Sequence, residues 1–129
     1  MSGELSTFNL FSPTDYRYSV RALEPYLSEE AYVKYTARVE GALAKALANR
    51  GLCPHKIADE IVQAASQVTA KEVYEEERRI KHDIRALVNV IRKKVSDEAK
   101  PWVHTTATSY DIVDTAKALM YRDAAEGVI

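Results

Sequence analysis

The chain has 129 residues, of which 47% are apolar and 29% charged, a composition typical of one soluble globular domain and unlike that of a disordered chain. Its 18 basic and 19 acidic residues give a net charge of −1, so composition provides no support for nucleic-acid binding. The single cysteine, Cys53, excludes an internal disulfide, and with three histidines it offers little for a metal site. We therefore predict a reducing, cytoplasmic location with no metal and no cofactor. Because no apolar run is long enough to span a bilayer, no membrane association is expected.

Apolar residues recur at spacings of three and four, and only 4 glycines and 4 prolines interrupt them, which predicts an all-α fold. A turn is expected at Ser12–Asp15, before the first helix. Ser28 is a suitable N-cap for that helix, and Gly51 is suitable for its end. The apolar face predicted for this helix consists of Tyr32, Tyr35, Val39, Leu43 and Leu47.

A shorter helix is predicted from about Pro54, which suits a first helical position, through Val68. The next helix begins after Thr69, because Glu72 three residues later completes the pattern of a capping box. From there the helical pattern can continue toward Val95.

This long pattern changes character midway. Residues 75–79 are polar throughout, which is typical of a water-facing helix surface, whereas a regular apolar stripe runs from Ile80 to Val95. The change predicts a bend or a restart near Lys81–Asp83. A polar connection is expected at Lys93–Pro101.

The last helix is predicted from about Tyr110, with Thr108 and Ser109 as capping candidates. Its apolar face consists of Ile112, Val113, Ala116, Leu119 and Met120. Since little sequence follows to cover this face, we expect it to need a partner.

Two clusters could hold an anion or transfer a proton. Arg17 and Tyr18 follow the predicted turn, and a guanidinium fork beside a phenol can bind a phosphate, although local pairing of Arg17 with Asp15 is a simpler alternative. His82 stands beside Asp83 near a helix start, where it could transfer a proton or bind an anion, or lie on the surface without a role. Neighbours on a continuous helix point about 100° apart, so adjacency alone does not establish a dyad.

A third cluster, His104 with four hydroxyl side chains in residues 105–109, precedes the last helix. The unpaired N–H groups at a helix start can bind a carboxylate or a phosphate. Ordinary helix capping by the hydroxyls is the alternative. From the residues alone, the sequence indicates a helical domain with a possible site for a small anion.

Three motifs occur in order: Ser12-Pro13-x-Asp15-x-Arg17-Tyr18, Lys81-His82-Asp83-Ile84 and Val103-His104-x-x-Ala107-Thr108-Ser109-x-Asp111-Ile112-Val113-Asp114-Thr115-Ala116. Together they strongly resemble the N-terminal part of adenylosuccinate lyases, members of the fumarase/aspartase superfamily, over nearly the whole chain. The resemblance implies an N-terminal helical domain at residues 1–104 and the truncated start of a central long-helix bundle at residues 105–129. It also implies a homotetramer when the protein is intact.

Members of this family eliminate fumarate from adenylosuccinate, giving AMP, and from the succinylcarboxamide ribotide of purine biosynthesis. A base removes the Cβ proton while an acid protonates the departing nitrogen. By this resemblance Arg17 and Tyr18 bind the 5′-phosphate of the substrate. His82 is the catalytic residue near the reacting succinyl group, and Asp83 beside it belongs to the substrate site.

The resemblance further implies that His104 contacts the substrate, with the phosphate as the expected group, and that Thr108 and Ser109 hold a succinyl carboxylate. The chain departs from the family pattern at Thr105 and Thr106, where an aromatic residue and a glycine are usual. A β-branched residue does not readily adopt a conformation that favours glycine, so the departure affects the expected geometry of this loop.

The family's general-acid histidine and the flexible loop with its serine base have no counterpart in these residues. We therefore hypothesise an N-terminal fragment of an adenylosuccinate lyase that is inactive alone, a hypothesis that turnover on the order of 1 per second or more would refute. One alternative is a non-catalytic interaction module that docks through the last helix. Another is an enzyme similar to carboxymuconate cycloisomerases, which share the Ala-Thr-Ser-x-Asp stretch.

Overall fold

The computed structural model describes residues 17–129, which contain helices and their connections and no strand. The helices are α1 (Glu24–Leu27), α2 (Glu29–Asn49), α3 (His55–Ser66), α4 (Ala70–Ile80), α5 (Asp83–Lys93) and α6 (Ser109–Val128), with short 3-10 turns at Arg21–Leu23 and Lys100–Trp102. The all-α prediction is confirmed. The turn predicted at Ser12–Asp15 lies outside the described residues. No helix within residues 17–129 has both the length and the apolarity needed to cross a bilayer.

Two helix starts follow from local capping, as the sequence predicts. The Ser28 side chain accepts a hydrogen bond from the backbone N–H of Ala31 at 3.1 Å, at the start of α2. At the start of α4, Thr69 and Glu72 form the predicted capping box, in which each side chain accepts from the other residue's backbone N–H. Both predictions are confirmed. They could be made from the sequence because each contact joins residues three positions apart.

The connection between α2 and α3 contains Gly51 and Pro54. Gly51 has φ +73°, a left-handed conformation that glycine adopts without steric cost, and it follows the end of α2 as predicted. Pro54 was predicted as the first helical residue, but it is the N-cap, with an extended ψ of 135°. Its carbonyl accepts the first hydrogen bond of α3, from the N–H of Ala58 at 3.1 Å, so the helix starts one residue later.

Helix α2 packs against both α3 and α6. The residues that it buries are mainly small, because two neighbouring helices approach it closely: Ala31, Val33, Thr36, Ala37, Val39, Glu40, Gly41, Ala44, Leu47 and Ala48. Of the predicted apolar face, Val39 and Leu47 are buried, whereas Tyr32, Tyr35 and Leu43 are only half-buried at its edge. The prediction located the apolar side of α2 from its largest residues, and the buried surface is centred on its alanines instead.

The apolar face of α6 is covered within this chain, so the expectation that it lacks a partner is wrong. Ile112 and Ala116 are 1% and 0% exposed and belong to the same core as α2 and α5. The Tyr35 hydroxyl of α2 also donates to the Asp123 carboxylate of α6 at 2.7 Å. The exposed stripe proposed for a docking module therefore does not exist, and the division between residues 104 and 105 stays a prediction.

The long helical pattern breaks where the change in its apolar face predicts. Lys81 has φ 59° and ψ 34°, the left-handed region that ends α4, and α5 begins two residues later. Its apolar side chains Ile84, Leu87, Val88 and Ile91 are among the most buried in the described chain. The break lets α5 pack back against α4 and places His82 at the N-cap of a new helix.

Glu76 corrects the interpretation of residues 75–79 as a water-facing surface. Its side chain is buried and accepts hydrogen bonds from Arg79, Asn89 and Lys93, the last two located on α5. These donors, Arg79 first, hold the pKa of the Glu76 carboxyl at about 2. The carboxylate therefore joins the two helices of the hairpin, whereas its neighbours Glu75 and Arg78 remain exposed.

Candidate functional site

A cleft of about 190 Å³ lies where α5 and α6 begin. Its lining residues are His82, Ile84, Arg85, Val88, His104 and Ser109. Each helix start carries a partial positive charge and N–H groups without partners in the helix, so two converging starts favour an anion. Arg85 adds a full positive charge, and no carboxylate is among the lining residues. The electrostatics of the cleft therefore suit a carboxylate or a phosphate.

His82 is the N-cap of α5. Its Nδ1 accepts a hydrogen bond from the backbone N–H of Arg85 at 3.1 Å, so this nitrogen carries no proton. The remaining proton of the neutral ring is then on Nε2, which leaves that nitrogen as a donor toward a ligand. Protonation of Nδ1 would remove the cap, so the structure favours a neutral imidazole over the charged one considered from the sequence.

The side chains of Asp83 and His82 form no hydrogen bond with each other, because Nδ1 of His82 and Oδ1 of Asp83 are 3.8 Å apart. The Asp83 carboxylate instead accepts a hydrogen bond from the Tyr32 hydroxyl of α2 at 3.3 Å. Burial and the nearby Asp83 charge raise the pKa of Tyr32 to about 12, so the phenol keeps its proton. Asp83 therefore connects the start of α5 to α2.

His104 is held from behind by a buried acid. Its Nδ1 lies 2.6 Å from Oε1 of Glu40, which is in the middle of α2 and 1% exposed. Burial raises the pKa of the Glu40 carboxyl, and the adjacent imidazole opposes that rise. The contact fixes one edge of the imidazole against α2 while the residue lines the cleft.

The loop before α6 has an unusual backbone. His104 and Thr106 have φ values of 65° and 72°, in the left-handed region that non-glycine residues adopt at a cost. Thr106 thus takes the backbone conformation expected of the glycine that the family pattern has there, despite its β-branched side chain. The neighbouring Thr105 is not in this region, and its hydroxyl donates to the carbonyl of Pro101.

We expect Thr106→Gly to stabilise the chain by about 1 kcal/mol, because glycine adopts a positive φ without the Cβ clash. Urea unfolding followed by the fluorescence of Trp102, the single tryptophan, measures the change. Thr105→Gly is the matched control and should destabilise, since it removes a hydrogen bond where no positive φ exists. Equal destabilisation by both glycines would contradict the strained backbone at Thr106.

Thr108 and Ser109 begin α6, one residue before the predicted start. Thr108 has extended backbone and is the N-cap, and its N–H donates to Oδ2 of Asp111 at 2.8 Å. Ser109 is half-buried and lines the cleft, whereas Thr108 is exposed and does not line it. Of the two predicted carboxylate ligands, Ser109 is therefore the one on the cleft wall.

Arg17 and Tyr18 are exposed and are not among the residues that line this cleft. The segment after them packs toward the opposite end of α6, where the ring of Tyr26 lies against Gly127. Gly127 is about 27 Å along the helix axis from Ser109, at about 1.5 Å per residue. The structure thus brings His82, His104 and Ser109 together without Arg17 and Tyr18.

A larger groove of about 500 Å³ lies between α2 and α3. Gly41, Val62 and Ala65 form its apolar floor, and Lys34 and Arg38 are among the cations at its edge. Its cations could attract an anion, but its lining residues include no histidine that could transfer a proton.

Comparison with known proteins identifies the family of the chain. A family model described as "Lyase" matches residues 13–129, which is most of the chain. The chain belongs to this lyase family. It is 44% identical over 112 residues to the adenylosuccinate lyase of Archaeoglobus fulgidus, covering 87% of this chain and 24% of that enzyme. No solved structure matches the chain significantly.

Two further relatives show how much of each protein aligns with this member of the lyase family. The adenylosuccinate lyase of Methanocaldococcus jannaschii is 38% identical, with 88% of this chain and 25% of the enzyme aligned. The N-acetyl-S-(2-succino)cysteine lyase of Enterococcus italicus is 31% identical, with 83% and 24% aligned. The chain thus spans about a quarter of the length of the curated relatives that it matches.

Sequence reasoning missed two residues of the site in this lyase chain. Arg85 places a cation in the first turn of α5, where the helix dipole disfavours positive charge. This unfavourable position could have indicated from the sequence that Arg85 serves an anion site. Glu40 lies among the apolar positions of α2, four residues after Thr36, and a lone acid on a buried helix face was the corresponding signal. Both became apparent only when the packing of α2 and the position of α5 were known.

Proposed function

We propose that this chain carries the part of an adenylosuccinate lyase active site that binds the succinyl group of the substrate. The observation that supports this most strongly is the convergence of His82, His104 and Ser109 at two helix starts. Two imidazoles, a hydroxyl and an arginine at such a place offer several hydrogen-bond donors to an anion. The reaction proposed is elimination of fumarate from adenylosuccinate to give AMP, a step of purine biosynthesis.

The succinyl group is the substrate portion that fits best. The names of the relatives describe substrates that share a succinyl group, attached to a purine nucleotide in one case and to a cysteine in the other. The cleft, at about 190 Å³, is smaller than the roughly 300–1,000 Å³ of typical ligand pockets. We infer that it holds one carboxylate end of the substrate, while the purine and the ribose lie outside it.

Within this proposal His82 is the catalytic residue, because its Nε2–H can donate to the reacting succinyl group. Asp83 keeps the start of α5 in place through Tyr32. Ser109 and the first N–H groups of α6 bind a carboxylate, with Thr108 as the cap that orients them. His104 supplies a further donor, and because it lines the same cleft as His82 and Ser109 we assign it to the succinyl group and not to the phosphate.

We propose that Arg17 and Tyr18 bind the 5′-phosphate in a site shared between subunits of a homotetramer, since they do not line this cleft. Residues 105–129 would then begin the central bundle of that assembly, following the domain division predicted from the resemblance. A cytoplasmic location, where purine nucleotides are made, remains part of the proposal.

The test is titration of the isotopically labelled 129-residue chain with adenylosuccinate and with fumarate, followed by amide chemical shifts. We expect the largest shifts at Arg85 and Ser109, and none at Ser66 in the groove between α2 and α3. His104→Gln should weaken binding roughly tenfold, the effect of losing one charge-assisted hydrogen bond. His55→Gln is the matched control, because His55 is an exposed histidine at the start of α3.

Binding that shifts Ser66 but neither cleft residue would contradict the proposed site. Equal affinities of the His104→Gln and His55→Gln chains would show that His104 does not contact the ligand. Either result would leave the lyase family assignment intact, since that assignment rests on sequence similarity.

A further inference from the structure

Glu40 has a single polar partner in the described part of the chain. Its Oε1 is 2.6 Å from Nδ1 of His104, and its Oε2 is fully buried with no hydrogen-bond donor among residues 17–129. A buried carboxylate normally has several donors or a permanent cation beside it. Glu40 has only an imidazole, so the charge on the acid and the proton content of His104 depend on each other.

The number of protons that the pair holds determines whether Nε2 of His104 is protonated at the cleft. If the pair holds two protons, one lies between Oε1 and Nδ1, and the other is on Nε2 of His104. This is true both for the ion pair and for the neutral acid beside a neutral ring, and the net charge is zero in each case. If the pair holds one proton, that proton lies between Oε1 and Nδ1, so Nε2 is unprotonated and can only accept a hydrogen bond. A net negative charge is then buried beside the unpartnered Oε2. Burial of an uncompensated charge is costly, so the arrangement with a proton on Nε2 is favoured.

We propose that Glu40 is a positioning residue that orients the His104 imidazole and keeps a proton on its Nε2, so that His104 is a permanent N–H donor to anions in the cleft. The identification of the anion as a succinyl carboxylate rests on the proposed function, but the protonation of Nε2 does not. His104 lines the cleft while its other ring nitrogen contacts α2, so Nε2 is the nitrogen available to a ligand.

Other titratable groups lie at the two helix starts beside the cleft. His82, Asp83 and Arg85 lie at the start of α5, and Asp111 lies at the start of α6. His82 is neutral as a cap, Arg85 is a permanent cation, and Asp111 accepts from the N–H of Thr108. None of them forms a hydrogen bond with Glu40 in the described structure, so its proton balance is set mainly by His104.

The direct test needs no ligand and no variant of Glu40. Long-range ¹H–¹⁵N correlation spectra of the histidine rings distinguish Nε2 from Nδ1 by their couplings to the two ring C–H protons. His104 is assigned by its disappearance in His104→Gln. At pH 7.5 we expect His104 Nε2 to be protonated, and the exposed His55 provides a second ring signal in the same spectra. An unprotonated Nε2 on His104 at this pH would overturn the proposal.

A second test uses Glu40→Gln and succinate as the probe. Without the acid, a neutral His104 ring can hold its proton on either nitrogen, whereas a protonated ring holds one on both, and a lower pH favours the protonated ring. We expect succinate to bind about tenfold more weakly than to the parent chain at pH 7.5, through loss or weakening of one hydrogen bond, and within about twofold of the parent at pH 5.5. Glu40→Asp, which keeps the acid on a shorter side chain, should restore part of the affinity at pH 7.5.

Glu30→Gln provides the control, since Glu30 is an exposed acid on the same helix. A loss of affinity in Glu40→Gln that is equal at both pH values would indicate a merely structural role and would overturn the proposal. If the parent chain shows a protonated Nε2 but binds no succinate, Glu40 keeps its role and the proposed succinyl site fails.

Discussion

Replacing His82 with asparagine is expected to abolish most catalysis while leaving the fold as stable as before. His82 has two functions in the structure: its Nδ1 caps α5 through the N–H of Arg85, and its Nε2 is available to a ligand. Asparagine is among the best N-cap residues, so it preserves the first function, but it cannot exchange a proton as an imidazole does. If His82 takes part in proton transfer, kcat/KM should fall by roughly 10²–10⁴-fold.

The measurement requires an active enzyme. A chimera in which this chain replaces the matching quarter of the Archaeoglobus fulgidus adenylosuccinate lyase provides one, and adenylosuccinate turnover is the readout. Stability is measured separately, by urea unfolding of the 129-residue chain. There His82→Ala should cost about 1 kcal/mol through loss of the cap, and His82→Asn almost nothing.

The two variants together separate the two functions of His82. Both should lose activity to a similar extent in the chimera, although only the alanine variant loses stability. Activity that follows stability instead, with the asparagine variant fully active, would show that His82 acts only as a cap and has no part in the chemistry.

The helix boundaries were predictable because the signals that set them are local. The Ser28 cap and the capping box of Thr69 and Glu72 involve residues three positions apart, so the sequence contains the whole interaction. The break at Lys81 was visible as a change in the apolar stripe. The start of α3 was displaced by one residue, because a proline is acceptable both at the N-cap and just inside a helix.

The packing was predicted less well, since it depends on distant residues. Helix α2 lies between α3 and α6, so its alanines are buried more deeply than the tyrosines on which the predicted face was based. Glu76 looked like part of a solvated run, but its partners Asn89 and Lys93 come from the next helix. No pattern within one helix indicates which of several acids will meet such donors.

The candidate site was predicted in part. The resemblance selected His82, His104 and Ser109, and the structure places all three on one cleft. It did not select Glu40, because the contact with His104 spans 64 residues and exists only when α2 packs against the loop before α6. Arg17 and Tyr18 were predicted for the same site, yet within one chain they do not line the cleft.

Replacing Ile112 with alanine is expected to destabilise the chain by about 2–5 kcal/mol, the range for deleting a fully buried isoleucine side chain. Ile112 is 1% exposed in the second turn of α6 and belongs to the common core. If the face of α6 had no partner, the substitution would hardly change the free energy of unfolding. The experiment therefore decides between a packed and an unpartnered α6. Urea unfolding gives the free energy, and a constant slope with denaturant shows that the folded and unfolded states are unaltered.

Ile129→Ala is the matched control, because Ile129 is a fully exposed isoleucine at the end of the same segment, where truncation should change stability by less than about 0.5 kcal/mol. The difference between the two variants therefore measures burial of α6 and not the chemistry of the substitution. Because Ile112 lies three residues after Ser109, loosening this turn should also weaken fumarate binding at the cleft in Ile112→Ala and not in Ile129→Ala. Equal stability of both variants would mean that α6 is not packed on α2, and the convergence of the two helix starts would then lose its structural basis.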